Sequence, residues 1–358
     1  MNKAQGFSDN SIIEMFGLTY TQSLLLFSAE RAAALYDTFT TRSKTASDAK
    51  RLWISEWEKG IVTYLKGLSG DEHVCLYDSD SLNERFAKEL QASNNRTWYY
   101  ILGLELLEFE PYTALGGDYD NLYKKCKAGE KPLYDYVKKM LLGHGFLSEE
   151  KIDRLDKTYC KSLNKISGKA GKTAAKILAV VAVGAIAAAF AAVSAPAIAV
   201  SLFGAGFEGL AGAALTNACL ALAGGGAVAV GGGGVAGGIA AIAGGGALLG
   251  LAGGGAMVGA GQLLLSSPEY ALTQAAKLET ILKEVILNAQ KDVVLAQKII
   301  AQYKEQIDAL TAKLNEMEIQ AEKNKEEIKK IKLCIKYLKN SCKDMNVFTS
   351  AYEVGMET

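Results

Sequence analysis

Residues 224–261 read GGGAVAVGGGGVAGGIAAIAGGGALLGLAGGGAMVGAG, in which 18 of the 38 residues are glycine and most others are Ala, Val, Ile or Leu. They belong to a longer apolar block, residues 177–265, in which Glu208 is the only acidic or basic side chain. A helix of about 20 apolar residues is long enough to span a bilayer. The block could therefore hold two to four spans, and membrane insertion is its leading interpretation.

Glycine recurs in this block with a period of seven residues. On a helix, that period places small residues along one stripe and branched aliphatic residues along a neighbouring ridge. A stripe of bare backbone lets a second helix approach closely, so the pattern predicts a homo-oligomer that assembles within lipid. The stripe consists of Gly224, Gly231, Gly238 and Gly245 and continues through Ala252 and Gly259, and the ridge consists of Val228, Val235, Ile242 and Leu249.

The same glycines disfavour a helix in water. Each costs about 0.5–1 kcal/mol relative to alanine in a helix interior, so 18 of them disfavour an isolated helix by about 10–18 kcal/mol. Dense packing or a bilayer, where backbone groups must pair internally, is needed to compensate. The alternative is a flexible linker, but linkers are rich in Ser and other polar residues rather than in Val, Ile and Leu.

The one carboxylate of the block lies in the segment GAGFEG, residues 204–209, which is a predicted bend. A carboxylate at the centre of a bilayer would cost roughly 2.5–3.5 kcal/mol. We therefore expect Glu208 at a turn that faces water, and a proton-sensing role is the alternative.

Lysines precede the block at intervals of three and four residues, and residues 157–176 contain no acidic side chain. On a helix these lysines would follow one side. Lysines beside a membrane segment attract anionic headgroups by about 1 kcal/mol each, so a juxtamembrane helix that favours anionic lipid is predicted. An ordinary solvated helix face is the alternative. The lysines are Lys157, Lys161, Lys165, Lys169, Lys172 and Lys176.

Residues 1–156 are predicted to form an all-α domain of six to eight helices. Apolar residues recur three and four positions apart, and no stretch alternates with a period of two. The aromatic residues, including Trp53 and Trp57, are expected in the core. Helix starts are predicted at Ser148, which precedes two glutamates, and at the capping-box pattern of residues 81–84.

After the block, Ser267-Pro268-Glu269 is typical of a helix start. No glycine or proline occurs between Glu269 and Val354, and apolar residues recur in heptads from Val293 to Leu338. This pattern predicts a long coiled-coil helix over residues 266–345, followed by a tail at 346–358. A fold-back near Asn324 or Asn340 is the alternative.

Composition excludes several classes of function. The formal net charge is zero, which argues against nucleic-acid binding. The six cysteines and two histidines lack zinc-site spacing, so no metal site is expected. Residues 167–173, SGKAGKT, lack the first glycine and the preceding strand of a phosphate-binding loop. We expect no catalytic or cofactor-binding residues. The N-terminus lacks the apolar region of a signal peptide, so synthesis in the cytoplasm is expected.

The arrangement of a helical domain, an apolar segment and a long helix over Ile177–Cys342 resembles the α-helical pore-forming toxins. The glycine-rich part is also similar in character to the membrane segments of apolipoprotein L-type proteins. The resemblance implies a protein that is soluble before insertion, then enters a membrane and permeabilises or remodels it. The alternative function is a resident membrane-anchored scaffold or tether, whose coiled-coil helix recruits a protein partner.

Overall fold

Helices form the whole of the described fold. The computed structural model describes residues 18–69, 73–93, 96–112, 118–168, 268–320 and 325–357, and these ranges contain no strand, which confirms the all-α prediction. The helices are α1 (Tyr20–Thr40), α2 (Lys44–Ser69), α3 (Ser79–Ala92), α4 (Thr97–Leu107), α5 (Asp120–Tyr123), α6 (Glu130–Gly143), α7 (Glu149–Ser167), α8 (Pro268–Ile281), α9 (Val293–Gln320) and α10 (Lys325–Glu357). A π-helical turn, Leu282–Leu287, continues α8.

Polar residues set the helix starts. Ser148 caps α7 as predicted, because its hydroxyl accepts a hydrogen bond from the backbone N–H of Lys151. The predicted cap at Ser81 is wrong: Asp78 caps α3 and accepts from the N–H of Ser81 at 2.7 Å. A capping box at residues 19–22, which the sequence reading missed, starts α1.

The aromatic residues of the N-terminal helices lie in the core, as predicted. Trp53 and Trp57 are almost completely buried on α2 and stack with ring centroids 5.7 Å apart. Phe27 of α1 meets Trp57 edge to face at 6.4 Å. Aromatic pairs stabilise a core beyond the contribution of the apolar area that they bury. The contact between Phe27 and Trp57 therefore helps to fix α1 against α2.

Helix α8 is the most deeply buried element of the described fold. Every residue from Ala271 to Leu282 is buried, including polar ones such as Lys277 and Glu279. It packs against both α7 and α10. The C-terminal helices therefore share one hydrophobic core with the N-terminal helices.

The structure corrects the single long helix predicted over residues 266–345. Asn288–Asp292 separate the π-helical turn from α9, and α9 packs against α10. Gln297 near the start of α9 bonds Glu353 near the end of α10, so the two helices form an antiparallel hairpin. Of the two fold-back positions given as the alternative, Asn340 is wrong because it lies inside α10, and Asn324 lies between the two helices but outside the described residues.

This hairpin also accounts for the heptad pattern. The apolar positions Ile300, Tyr303, Ile307, Ile335 and Leu338 are buried within the chain. A two-helix hairpin needs the same apolar period as an intermolecular coiled coil, so the pattern alone could not separate the two. The predicted tail at 346–358 is corrected too, because α10 continues to Glu357, and the predicted boundary at 156/157 falls inside α7.

Candidate functional site

The candidate site is the end of the bundle at which the chain enters and leaves the apolar block. Helices α7 and α8 flank the block, and side-chain contacts fix their relative direction. Ser162 Oγ donates to Glu279 Oε1 at 2.6 Å, and Thr158 Oγ1 donates to Glu284 Oε1 at 2.7 Å. Thr158 precedes Ser162 on α7, whereas its partner Glu284 follows Glu279 in the sequence. The two helical segments are therefore antiparallel. The C-terminal end of α7 and the N-terminal end of α8 therefore lie at one end of the bundle.

Helix α10 joins α7 and α8 near this end. Asn340 Nδ2 donates to the carbonyl oxygen of Ile166 at 2.9 Å, and Ser341 Oγ donates to the carbonyl oxygen of Ala275 at 3.2 Å. Consecutive residues of α10 thus hold the helix before the block and the helix after it. Helix α7 then ends at Ser167, where Gly168 adopts a left-handed conformation with φ of +68°.

Four ionisable residues, which we call the ion network, reinforce this junction: Lys165 on α7, Glu279 on α8, Lys283 in the π-helical turn and Asp344 on α10. Lys283 Nζ lies 2.7 Å from both Glu279 Oε1 and Asp344 Oδ2, and Lys165 pairs with Asp344. The three members other than Lys165 are largely buried. Removing one partner from such a network leaves an uncompensated charge in a poorly solvated place.

The two carboxyls of the ion network have different protonation behaviour. Burial, and then the hydrogen bond to Asp344, raise the pKa of Glu279 to about 7. Burial also opposes ionisation of Asp344, but hydrogen bonds with Glu279, Lys165 and Lys283 outweigh it and lower the pKa of Asp344 to about 2. The second oxygen of an ionised Glu279 has no hydrogen-bond donor. A proton on Glu279 would supply a donor to Asp344, which is why this contact raises the pKa of Glu279 and lowers the pKa of Asp344.

The π-helical turn places charges on two sides of the junction. The N–H of Asn288 donates to the carbonyl of Lys283 at 3.0 Å, five residues earlier, which is the π pattern. Within this turn Lys283 reaches Asp344 on α10, while the next residue, Glu284, meets Arg154 and Thr158 on α7. Such single π turns recur at functional sites in other proteins.

A second buried cluster lies on another face of α8. Lys277 Nζ bonds Glu105 Oε2 on α4 at 2.6 Å. Burial, and then the charge of Glu105, raise the pKa of Glu30 on α1 well above its ordinary value. Burial, and then the negative charge of Asp156, raise the pKa of Glu108 to about 8. Lys277 of α8 is thus paired with a carboxylate inside the bundle, which holds α8 against α4.

Three of the six predicted headgroup lysines lie in the described residues. Lys157, Lys161 and Lys165 are exposed and one turn apart on α7, as predicted, and Lys165 also joins the ion network. Because α7 ends at Ser167, the single helix predicted over residues 157–176 is interrupted after the third lysine. The predicted residues outside the described ranges are Lys169, Lys172, Lys176, Glu208, Gly224, Gly231, Gly238, Gly245 and Gly259.

The sequence reading missed a second lysine-rich stretch beside these residues. Residues 328–343 of α10 contain six lysines and no acidic side chain. These lysines fall between the apolar heptad positions of the same residues, so the sequence contains both patterns. Contact between Asn340 and Ile166 brings this stretch to the end of α7.

A surface cavity of about 510 Å³ lies elsewhere, between α1, α3 and α6. Tyr36 and Tyr136 stack on its wall with centroids 4.3 Å apart. Its polar lining residues, including Asn83, Asp135 and Lys139, are exposed to solvent. Within the described ranges, no cluster of His, Cys, Asp and Glu is suited to a metal ion.

No protein-family model, curated protein or solved structure matches this chain. Among the helices of the described residues, none is both long enough and apolar enough to cross a bilayer. The predicted spans belong to residues 177–265, which lie outside the described ranges.

Proposed function

We propose that this protein inserts residues 177–265 into a lipid bilayer, self-associates through the glycine stripe and permeabilises or remodels the membrane. One observation carries the proposal: the helices on either side of this apolar block are antiparallel neighbours whose block-proximal ends lie together. Both ends of the block therefore start from one side of the bundle.

This geometry is suited to insertion from a folded base. A segment whose two ends lie together can cross a bilayer an even number of times while its flanking helices stay paired. The flanking pair is held by the ion network and by the contacts of Asn340 and Ser341. The block itself has a single charged residue in 89, so its transfer into lipid meets little electrostatic cost.

Helix α8 belongs to the base rather than to the inserting part. Its charged residues Lys277 and Glu279 are buried and paired inside the bundle. Moving one such charge to the centre of a bilayer costs roughly 2.5–3.5 kcal/mol on insertion scales, and the partner left behind would be unpaired as well. The boundary between base and inserting segment is therefore expected before Pro268.

The scaffold alternative would offer the heptad seam of the C-terminal region to a coiled-coil partner. In the described residues, seam positions such as Tyr303, Ile307 and Leu338 are buried against the chain's own helices. No contact of the described residues favours that alternative over insertion.

Release of a trapped dye from vesicles tests the proposal, and two substitutions in the block sharpen it. Gly238→Leu places a bulky side chain on the glycine stripe, so it is expected to abolish assembly and leakage. Lipid binding should persist, since leucine is more hydrophobic and a better helix former. Ile242→Leu, on the aliphatic ridge, is the matched control and should leak like the parent. Equal leakage from all three proteins, or none from the parent, would contradict the proposal.

A further inference from the structure

The exposed face of α10 next to α7 is a basic surface assembled from two distant parts of the sequence. Lys336, Lys339 and Lys343 are exposed and spaced three and four residues apart, so they share one side of α10. Lys161 and Lys165 are exposed one turn apart on α7. We call these five lysines the basic surface.

Contacts between the two helices show that the two sets of lysines are neighbours. Asn340 bonds the carbonyl of Ile166, and it lies one turn from both Lys336 and Lys343. Lys165 reaches across to Asp344, the residue after Lys343. About 170 residues separate the two sets along the chain, so only the packing of α10 on α7 brings them together.

Few acidic groups offset this surface. Asp344, which follows Lys343 in the sequence, is already paired with Lys165 and Lys283. Asp308 of α9 acts on Cys342, so it lies on the side of α10 that meets α9. The flank of α10 that meets α7 therefore keeps a net positive charge.

We infer that the basic surface docks on the anionic headgroups of a membrane and orients the bundle with the apolar block toward the lipid. Charge is the first argument, because clustered lysines beside a membrane segment bind anionic lipid additively. Position is the second, because the surface lies at the end of the bundle where the chain enters and leaves the block. This inference rests on the proposed insertion, but it concerns the docking step that precedes it.

Co-sedimentation with phosphatidylcholine vesicles, with and without phosphatidylserine, measures docking separately from leakage. The test variant is Lys336→Gln/Lys339→Gln/Lys343→Gln. Each lysine near an anionic surface is worth about a fivefold change in affinity, so the triple variant should bind phosphatidylserine vesicles roughly a hundredfold more weakly. Raising the salt from about 0.1 M to 1 M shortens the Debye length from about 10 Å to 3 Å and should weaken binding of the parent.

The matched control is Lys124→Gln/Lys125→Gln/Lys127→Gln, which removes the same charge from exposed lysines near α5. The control should bind as the parent does, and thermal unfolding should show that both variants are folded. Equal losses in both variants, unchanged binding of the α10 variant, or equal binding to neutral and anionic vesicles would each overturn the inference. Tighter binding to an oligonucleotide than to vesicles would also overturn it, in favour of a nucleic-acid partner.

The outcomes separate this inference from the proposed function. If the parent docks on phosphatidylserine through the α10 lysines but never leaks dye, docking stands and permeabilisation fails. If the parent leaks dye and the α10 variant docks equally well, permeabilisation stands and the basic surface is an ordinary solvated face.

Discussion

Asp344 of α10 accepts a hydrogen bond from Lys283, whose Nζ lies 2.7 Å from Asp344 Oδ2, and both side chains are largely buried. Asp344 also pairs with Lys165 on α7, so a single carboxylate joins the helix before the apolar block to the helical segment after it.

Asp344→Asn is expected to destabilise the bundle by about 3 kcal/mol, because it leaves Lys283 buried without an ionised partner on α10. Urea unfolding followed by circular dichroism measures the free energy of unfolding. Asp308→Asn, at an exposed position on α9, is the matched control. This control should change the free energy of unfolding by less than about 0.5 kcal/mol. Similar unfolding midpoints for the two variants would show that the ion network contributes nothing to stability.

Glu279→Gln is expected to change how the free energy of unfolding depends on pH. Burial, and then the hydrogen bond to Asp344, raise the pKa of Glu279 from 4.5 to about 7 in the folded protein. Between these values the folded state binds more protons than the unfolded state, so the contribution of Glu279 to stability rises as pH falls. Glutamine cannot ionise and lacks this dependence. The variant should therefore be more stable than the parent above about pH 7 and approach it near pH 5.

The measurement is the urea midpoint of unfolding at several pH values between about 5 and 7 for the parent and for Glu279→Gln. The matched control is Glu305→Gln, at an exposed position on α9. The Glu305 variant should follow the parent at every pH. A Glu279 variant that also runs parallel to the parent would mean that Glu279 is ionised in the folded protein throughout the range. The raised pKa of Glu108, about 8, acts in the same direction and is unchanged by either substitution.

An even number of crossings by the apolar block should leave α7 and α9 on the same side of a membrane. A membrane-impermeant amine reagent is added outside sealed vesicles. Mass spectrometry then measures the extent of labelling at the exposed Lys161 and Lys304 in one experiment. Both lysines should be labelled to the same extent before the vesicles are opened. Labelling of only one of them would indicate an odd number of crossings, and the geometry of the α7–α8 pair would then not be preserved on insertion.

Local patterns in the sequence were sufficient for several features of the fold. Apolar spacing of three and four predicts helices because it reports which face of each segment is buried. Ser148 and Pro268 mark helix starts because capping and a fixed φ act within one turn of the chain. The burial of Trp53 and Trp57 follows from the same short-range pattern.

The heptad pattern did not distinguish a coiled coil between chains from a hairpin within one chain, because the apolar stripe of a helix can be buried in either way. A partner chain or a second helix of the same chain buries Ile307 and Leu338 equally well. Only the antiparallel packing of α9 against α10 decides in favour of the hairpin, and residues 321–324, which connect the two helices, contain no glycine or proline.

The amino-acid sequence by itself determined that the protein is all-α, that residues 177–265 carry one charge, and that lysines precede them. These are properties of composition and short-range spacing. Only the tertiary structure placed Asp344 between Lys165 and Lys283, and the lysines of α10 beside those of α7. Such pairs lie 61 to about 180 residues apart along the chain. Hydrophobic burial of α8 brings their helices together, and no local pattern encodes that packing.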